Sequence, residues 1–142
     1  MSSPLKFTLN GKIVALAECS PNLTLLEYLR GRGCTGTKEG CAEGDCGACS
    51  VALLERKANG EPAYRVVNSC LLPVALLADR EVLTVEGMGC ARCPHPVQQA
   101  MVDHLGSQCG YCTPGFIASL FEGYYRRDLS AGAGLDEQLA GN

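Results

Sequence analysis

Hydrophobic and polar residues alternate over two short segments at the start of the chain. Residues 5–9 and 12–16 follow a period of two, and the dipeptide Asn10-Gly11 separates them. Such alternation is typical of half-buried β-strands. Asn-Gly favours a type I′ turn, because both of its central positions take positive φ. The pattern therefore predicts a β-hairpin.

A helix and three further strands are predicted in the rest of the first half. Leu25, Leu26 and Leu29 recur at helical spacing, Asn22 is positioned to cap the helix, and glycines at 31 and 33 end it. Residues 50–54 and 64–68 read as paired strands with a longer loop between them, and 82–85 as a last short strand.

The hydrophobic period changes after a segment rich in glycine and proline near residues 87–96. Val97, Met101, His104 and Leu105 share one helical face. A second helix begins at Thr113-Pro114, where proline suits the first turn, and carries an apolar stripe to residue 124. Small residues at 130–134 form a linker before a third helix at 135–140. We therefore predict an α+β half, residues 1–86, and a helical half, residues 87–142.

Composition narrows the classes of function. The 142 residues are 46% hydrophobic and carry a formal net charge of −3, and lysine and arginine are scattered, which argues against nucleic-acid binding. No apolar run is long enough to span a membrane, so we expect no membrane-spanning segment. Ten cysteines without an export signal favour metal ligation in a reducing compartment, so a cytoplasmic location is expected.

Four cysteines have the spacing of a plant-type 2Fe–2S site. Cys41, Cys46 and Cys49 form C-x4-C-x2-C inside a glycine-rich loop, and Cys70 follows after twenty intervening residues. Three thiolates from one loop reach a cluster only if the backbone curls tightly, which glycines at 40, 44 and 47 permit. The backbone N–H groups of the loop are then expected to point at the sulfurs.

A second set of cysteines lies in the helical half. Cys109 and Cys112 form C-x2-C directly before a helix N-terminus, where the helix dipole favours thiolates. Cys90 and Cys93 form another C-x2-C, and fifteen residues separate Cys93 from Cys109. C-x2-C-x15-C-x2-C is also a zinc pattern, so the residues alone leave a zinc site open.

Other residues are given structural roles. Cys19 and Cys34 are expected to pack as small hydrophobic residues, because four thiolates already complete the first site. No arrangement of nucleophile and base suggests hydrolysis, and no phosphate-binding or dinucleotide-binding glycine motif is present, so no catalytic residue is predicted in this chain.

The motifs together resemble the iron–sulfur region of the molybdenum hydroxylase family. The resemblance rests on segments 35–49, 68–71, 95–98 and 106–116 and extends over essentially the whole chain. The Glu-Gly-Asp before Cys46 is most similar to the xanthine dehydrogenase branch of the family, in which bacterial enzymes have a small iron–sulfur subunit.

The resemblance implies a plant-ferredoxin-like β-grasp domain followed by an all-α domain of four-helix type, each with one 2Fe–2S cluster. It implies that Cys109 and Cys112 ligate the second cluster and that Gln108 lies against a molybdopterin. The family places two more thiolates just after a stretch matching residues 139–142, so the helical half is expected to be incomplete at its C-terminus.

We therefore expect an electron-transfer subunit of a xanthine dehydrogenase-like molybdenum hydroxylase, part of an oxidoreductase but without substrate chemistry of its own. By the same resemblance, electrons pass from a molybdopterin centre towards FAD, and the partners are a molybdenum-binding large subunit and an FAD-binding subunit or domain. Two alternatives are a free-standing 2Fe–2S ferredoxin carrier and a zinc-stabilised interaction domain in the C-terminal half.

Overall fold

The computed structural model describes residues 4–126, 128–129 and 133–140. These residues form five strands, five α-helices and two short 3₁₀ helices at Ser69–Leu71 and Val74–Leu77. The strands are β1 (Leu5–Leu9), β2 (Lys12–Leu16), β3 (Ser50–Arg56), β4 (Pro62–Asn68) and β5 (Glu81–Leu83). The helices are α1 (Leu25–Gly31), α2 (Val85–Met88), α3 (Pro96–Asp103), α4 (Thr113–Tyr125) and α5 (Ala133–Leu139).

The five strands form one mixed sheet in the order β2-β1-β5-β3-β4. β1 and β5 run parallel, and the other neighbours are antiparallel. The predicted β-hairpin is confirmed: β1 pairs with β2, and Asn10 and Gly11 take φ of 49° and 75°. The chain is thus an α+β protein, as expected.

The sheet is the middle layer of the molecule. Val51 and Leu53 of β3 point to a core shared with Leu25 and Leu29 of α1. Ala52, between them, points to the opposite face and joins a second core with residues of α4. Burial on both faces explains why β3 begins as a continuous apolar run instead of alternating.

The start of α1 differs from the prediction. Its N-cap is Thr24, whose hydroxyl accepts from the Glu27 N–H at 3.2 Å, while the Glu27 carboxylate accepts from the Thr24 N–H at 3.0 Å. The prediction of Asn22 as the cap was wrong, because a reciprocal pair three residues apart satisfies two backbone donors.

Three predicted boundaries also move. The strand predicted at 82–85 ends at Leu83, and Val85 instead begins α2. α3 ends at Asp103, so His104 is its C-cap and Leu105 lies beyond it with positive φ, instead of both lining its face. Of the predicted linker at 130–134, residues 130–132 lie outside the described residues, and α5 already begins at Ala133.

α4 holds the helical half against the sheet. It confirms the predicted helix start at Thr113-Pro114. Phe121 of the predicted apolar stripe is buried together with Ala118, whereas Tyr124 at the end of that stripe is exposed. The Glu122 carboxylate accepts from the Val66 N–H of β4 at 2.6 Å. Within the described residues, no helix has the length and apolar character needed to cross a bilayer.

Candidate metal centre

The first cysteine loop contains no helix or strand between Gly33 and Cys49, as its glycine content predicts. Gly44 and Gly47 take φ of 84° and 69°. Gly40 is required for a different reason from the one expected: a Cβ there would lie 2.6 Å from Cys46 Sγ. Ala42 supplies a further left-handed turn, with φ of 57°.

Backbone N–H groups of this loop point at its sulfurs, as expected. Cys41 Sγ accepts from the N–H groups of Glu43, Asp45 and Cys46 at 3.3–3.4 Å. The Cys41 N–H in turn donates to Cys46 Sγ at 3.4 Å. These donors, that of Cys46 foremost, lower the pKa of the Cys41 thiol to about 7. The loop therefore stabilises negative charge on sulfur before any metal is considered.

Strand pairing brings Cys49 and Cys70 together. Ser50 at the start of β3 is paired with Asn68 at the end of β4, so Ser69 lies opposite Cys49 and Cys70 follows directly after it. The Ser69 hydroxyl donates to the Cys49 carbonyl at 2.7 Å and fixes the turn. Both cysteines are buried against Leu26. Burial first, and then a hydrogen bond with the Cys49 side chain, raise the pKa of the Cys70 thiol to about 11.

The four cysteines thus form two pairs: Cys41 and Cys46 exchange N–H···S hydrogen bonds, and Cys49 and Cys70 pack together against Leu26. Within the described residues, no three His, Cys, Asp or Glu side chains converge as they would around a single metal ion. Two pairs fit a two-iron cluster, in which each iron takes two thiolates. The four thiols, the N–H groups aimed at sulfur and the space that Gly40 leaves for Cys46 Sγ all suit a two-iron cluster.

The second cysteine loop lies next to the first. Cys109 and Cys112 are exposed and stand directly before α4, and Gln108 is exposed beside them. The Tyr111 hydroxyl donates to the carbonyl of Glu39, two residues before Cys41. The two cysteine loops are therefore joined by one side chain.

The cysteines of the zinc alternative are arranged differently. Cys90 and Cys93 form an isolated antiparallel bridge, and both side chains are exposed. In the part of the chain that the structure describes, these two and the second-loop pair, Cys109 and Cys112, do not converge into one metal-binding group. A tetrahedral zinc site requires that convergence.

Three contributors to the site were not predicted from the sequence. Leu26 packs on Cys49 and Cys70, and its place on the buried face of α1 was the only available signal. Ser69 and Tyr111 act through single hydrogen bonds, which residue spacing does not reveal. Cys19 and Cys34 pack against the main core, in agreement with their expected structural role.

Two family models match the chain in succession. The 2Fe-2S iron-sulfur cluster binding domain matches residues 7–75, and the 2Fe-2S binding domain matches residues 84–142. Together they cover both cysteine loops.

Proteins similar to this chain are oxidoreductases. The xanthine dehydrogenase of Emericella nidulans is 47% identical over 118 residues, which are 82% of this chain and 9% of that protein. Aldehyde oxidase 2 of Cavia porcellus is 41% identical over 99% of this chain and 11% of its own length. The chain thus spans about a tenth of the length of these curated relatives.

Solved structures show the same kinship. The aldehyde oxidoreductase of Desulfovibrio gigas superposes with a TM-score of 0.82 at 32% identity, over 96% of this chain and 14% of the other. A chain of quinoline 2-oxidoreductase from Pseudomonas putida 86 superposes with a TM-score of 0.78 at 27% identity, over 98% of this chain and 80% of the other.

Proposed function

The chain belongs to the iron–sulfur proteins built from these two 2Fe-2S domains, and it is homologous to the iron–sulfur part of xanthine dehydrogenases and aldehyde oxidoreductases. We propose that it is the electron-transfer subunit of a xanthine dehydrogenase-like molybdenum hydroxylase. A bound 2Fe–2S cluster supplies one-electron chemistry that no side chain provides. Electrons are proposed to pass from a molybdopterin centre towards FAD.

The first proposed ligand set is Cys41, Cys46, Cys49 and Cys70. The observation that carries it is the pairing of these thiols, with four backbone N–H···S hydrogen bonds of 3.3–3.4 Å around Cys41 and Cys46. Such donors neutralise part of the charge on thiolates and thereby tune a cluster potential. The buried pair in turn keeps solvent away from one side of the site.

The second proposed site uses Cys109 and Cys112, which supply half of a four-thiolate set. Gln108, exposed next to Cys109, is proposed to contact the molybdopterin of the partner. The support for this pair is its position before α4 and the contact of Tyr111 with the first loop. Two sites held this close by a direct loop contact suit a relay of electrons.

At the level of architecture, we propose that residues 1–86 form a plant-ferredoxin-like β-grasp domain and residues 87–142 a helical domain of four-helix type. The support is the order of elements: all five strands and α1 lie in the first segment, and α3 to α5 lie in the second. α2, at Val85–Met88, lies across the proposed boundary.

The proposed partners are a molybdenum-binding large subunit and an FAD-binding subunit or domain. The relatives contain about ten times the length of this chain, and the matched Pseudomonas putida chain is only slightly longer than it. Both arrangements imply further polypeptide around the iron–sulfur part. A cytoplasmic location belongs to the same proposal and rests on ten cysteines whose number and spacing favour metal ligation over disulfides.

Iron and sulfide counting tests the ligand sets. We expect about two irons per chain for residues 1–142, since one site has four thiols and the other has two. Cys46→Ala, which leaves no substitute ligand, should abolish the iron and the electron paramagnetic resonance signal of the reduced protein. Cys19→Ala is the matched control, because Cys19 packs against the core away from the pairs, and it should keep both. Loss of iron in the control alone would contradict the assignment.

Purification from the native host tests the subunit assignment. A tagged chain should bring down a molybdenum-containing polypeptide and a flavin in fixed ratio. Recovery of the chain alone, with its cluster and with full activity in electron transfer, would instead establish the free-standing ferredoxin carrier.

A further inference from the structure

Cys90 and Cys93 form a small hairpin that the proposed electron-transfer function does not use. The Cys90 N–H donates to the Cys93 carbonyl and the Cys93 N–H donates to the Cys90 carbonyl, both at 3.0 Å. Ala91 and Arg92 form the turn between them. All four residues are exposed. We call residues 90–93 the cysteine hairpin.

The reciprocal hydrogen bonds set the distance between the two cysteines. Residues that exchange both backbone hydrogen bonds across an antiparallel pair have Cα atoms about 5.5 Å apart. Directly opposite side chains also emerge on the same face of the pair. Disulfides form at Cα separations of about 4.4–6.8 Å. The Cα separation therefore falls within the range that a disulfide bond spans, with both side chains on one face.

The base of the cysteine hairpin is anchored on both sides. Before it, Met88 is buried, and Gly89 lies so close to the next segment that a Cβ would be 2.5 Å from the His95 nitrogen. After it, His95 is buried, and its N–H donates to Gln98 Oε1 at 3.0 Å. Gln98 Nε2 also donates to the Val85 carbonyl at 2.8 Å. The hairpin is thus a short projection on a fixed base.

We propose that Cys90 and Cys93 form a reversible disulfide with each other in exchange with low-molecular-weight disulfides of the glutathione class. A thiolate of one cysteine attacks the reagent, a mixed disulfide forms, and one reagent thiolate leaves. The thiolate of the second cysteine then attacks the mixed disulfide, forms the Cys90–Cys93 bond and releases the other reagent thiolate. Two protein thiols are oxidised with loss of two electrons and two protons, and the reagent disulfide is reduced to two thiols.

The position of the cysteine hairpin gives the bond a consequence. Cys90 lines an apolar groove of about 680 Å³ together with Ser107 and Thr113, which flank the second cysteine loop. When reduced, the hairpin leaves two exposed thiols free, and one of them, Cys90, lies on this groove. The disulfide makes both thiols unavailable as iron ligands. This consequence rests on the proposed function, whereas the disulfide itself does not.

The test uses the iron-loaded chain in glutathione buffers of increasing oxidation, followed by alkylation of free thiols and digestion with trypsin. Cleavage after Arg92 separates the fragment 81–92, which holds Cys90, from the fragment 93–126, which holds Cys93, Cys109 and Cys112. A link between these fragments under non-reducing conditions therefore shows a disulfide from Cys90, and the Cys93→Ser variant identifies its partner. We expect the linked fragments to exceed glutathione adducts of either cysteine about tenfold, because the second thiol acts at high effective concentration. Dithiothreitol should separate them.

Two variants and one control decide the outcome. Cys90→Ser and Cys93→Ser should each remove the link and leave a glutathione adduct on the remaining cysteine, with the iron content unchanged. Cys34→Ser should leave the link intact. Predominant single adducts in the unmodified chain, or a link from Cys90 to the fragment 93–126 that persists in Cys93→Ser, would overturn the proposal. Loss of iron in both hairpin variants would also overturn it, since the thiols would then be ligands.

Discussion

At the scale of single residues, the first site depends on what Gly40 lacks. Its missing side chain leaves the space that Cys46 Sγ occupies, because a Cβ would lie 2.6 Å from that sulfur. Real Cβ atoms do not approach other atoms so closely, so Cys46 or the loop backbone would have to move. Cys46 Sγ also accepts the Cys41 N–H, and its displacement would break that hydrogen bond.

Gly40→Ala is therefore expected to impair the metal site. Overpacking of this kind costs about 1–3 kcal/mol, and here the strain falls on a proposed ligand. We expect the variant to retain less than about half of the iron of the unmodified chain. Gly31→Ala is the matched control, because a Cβ there would meet nothing within 4 Å. Equal iron in both variants would show that Gly40 does not shape the site.

His95 is a second residue whose chemistry the structure specifies. Its Nδ1 accepts from the Val97 N–H at 3.2 Å at the start of α3, and its Nε2 lies 3.1 Å from the Tyr125 hydroxyl of α4. The ring therefore carries its proton on Nε2 and is neutral. Burial lowers the pKa of His95, since the charged form loses solvation.

The lowered pKa of His95 predicts a direction for stability against pH. The unfolded chain binds a proton to this ring more readily than the folded chain, so the contribution of neutral His95 is complete above about pH 6.5 and is lost as the pH falls through the folded pKa. His95→Gln should flatten this acid-side decline in denaturant titrations. His104→Gln, at an exposed position, should leave it unchanged. An identical decline in both variants would assign the effect to other groups.

At the scale of elements, α1 is positioned by its cap. Thr24 and Glu27 exchange hydrogen bonds at the first turn, and Leu26 of the same helix packs on Cys49 and Cys70. The cap therefore fixes the N-terminal end of α1, where Leu26 supports the buried thiol pair. Asn22 is exposed two residues earlier, and Thr24, not Asn22, is the cap.

Thr24→Ala should lower the free energy of unfolding by about 1 kcal/mol, which is the usual loss for an N-cap hydroxyl. Asn22→Ala should change it by less than about 0.5 kcal/mol, as for most exposed positions. Chemical denaturation monitored by circular dichroism measures both. If Asn22→Ala were the more damaging variant, the observed cap would not govern the stability of α1.

The elements also show how much of the fold the sequence predicts. Hydrophobic patterning placed the β1–β2 hairpin and α4 correctly, because each has one dominant period, and it placed β3 as a short apolar run between turn signals. It misplaced the end of β5 and the cap of α1, where hydrogen bonds between individual side chains and the backbone decide the boundary. Cysteine spacing predicted both loops as sites, whereas the pairing of Cys49 with Cys70 follows from strand register, which no local pattern contains.

At the scale of the whole molecule, the two halves form one packed unit around the sheet. α4 covers the face of β3 opposite α1, with Ala118 and Phe121 against Ala52. This packing brings the second cysteine loop, which directly precedes α4, to the first loop. The arrangement explains how one short chain can place two cysteine sites side by side without a linker between rigid domains.

The Tyr111 hydroxyl connects the two cysteine loops directly, and removing it tests whether this contact holds the loops together. Its hydroxyl donates to the Glu39 carbonyl in the first loop, where the Lys38 and Cys41 amides are hydrogen-bonded to the Ala48 carbonyl and Cys46 Sγ. Tyr111→Phe removes one hydrogen bond, which contributes about 1 kcal/mol. If that energy restrains the loop, exchange of the Lys38 and Cys41 amides should accelerate about fivefold.

Hydrogen exchange read by nuclear magnetic resonance on the iron-free chain isolates this effect from cluster chemistry. Tyr124→Phe is the matched control, since Tyr124 is also an exposed tyrosine but lies on α4 against His95 and Tyr125. It should leave the amides of the first loop unchanged, because Tyr124 lies at the opposite end of α4 from the second cysteine loop. Equal acceleration in both variants would mean that the loops respond to general destabilisation. Unchanged exchange in Tyr111→Phe would mean that the packing of α4 alone holds the two loops together. Acceleration confined to Tyr111→Phe would show that one hydroxyl fixes the separation of the two sites, the quantity on which electron transfer between them depends.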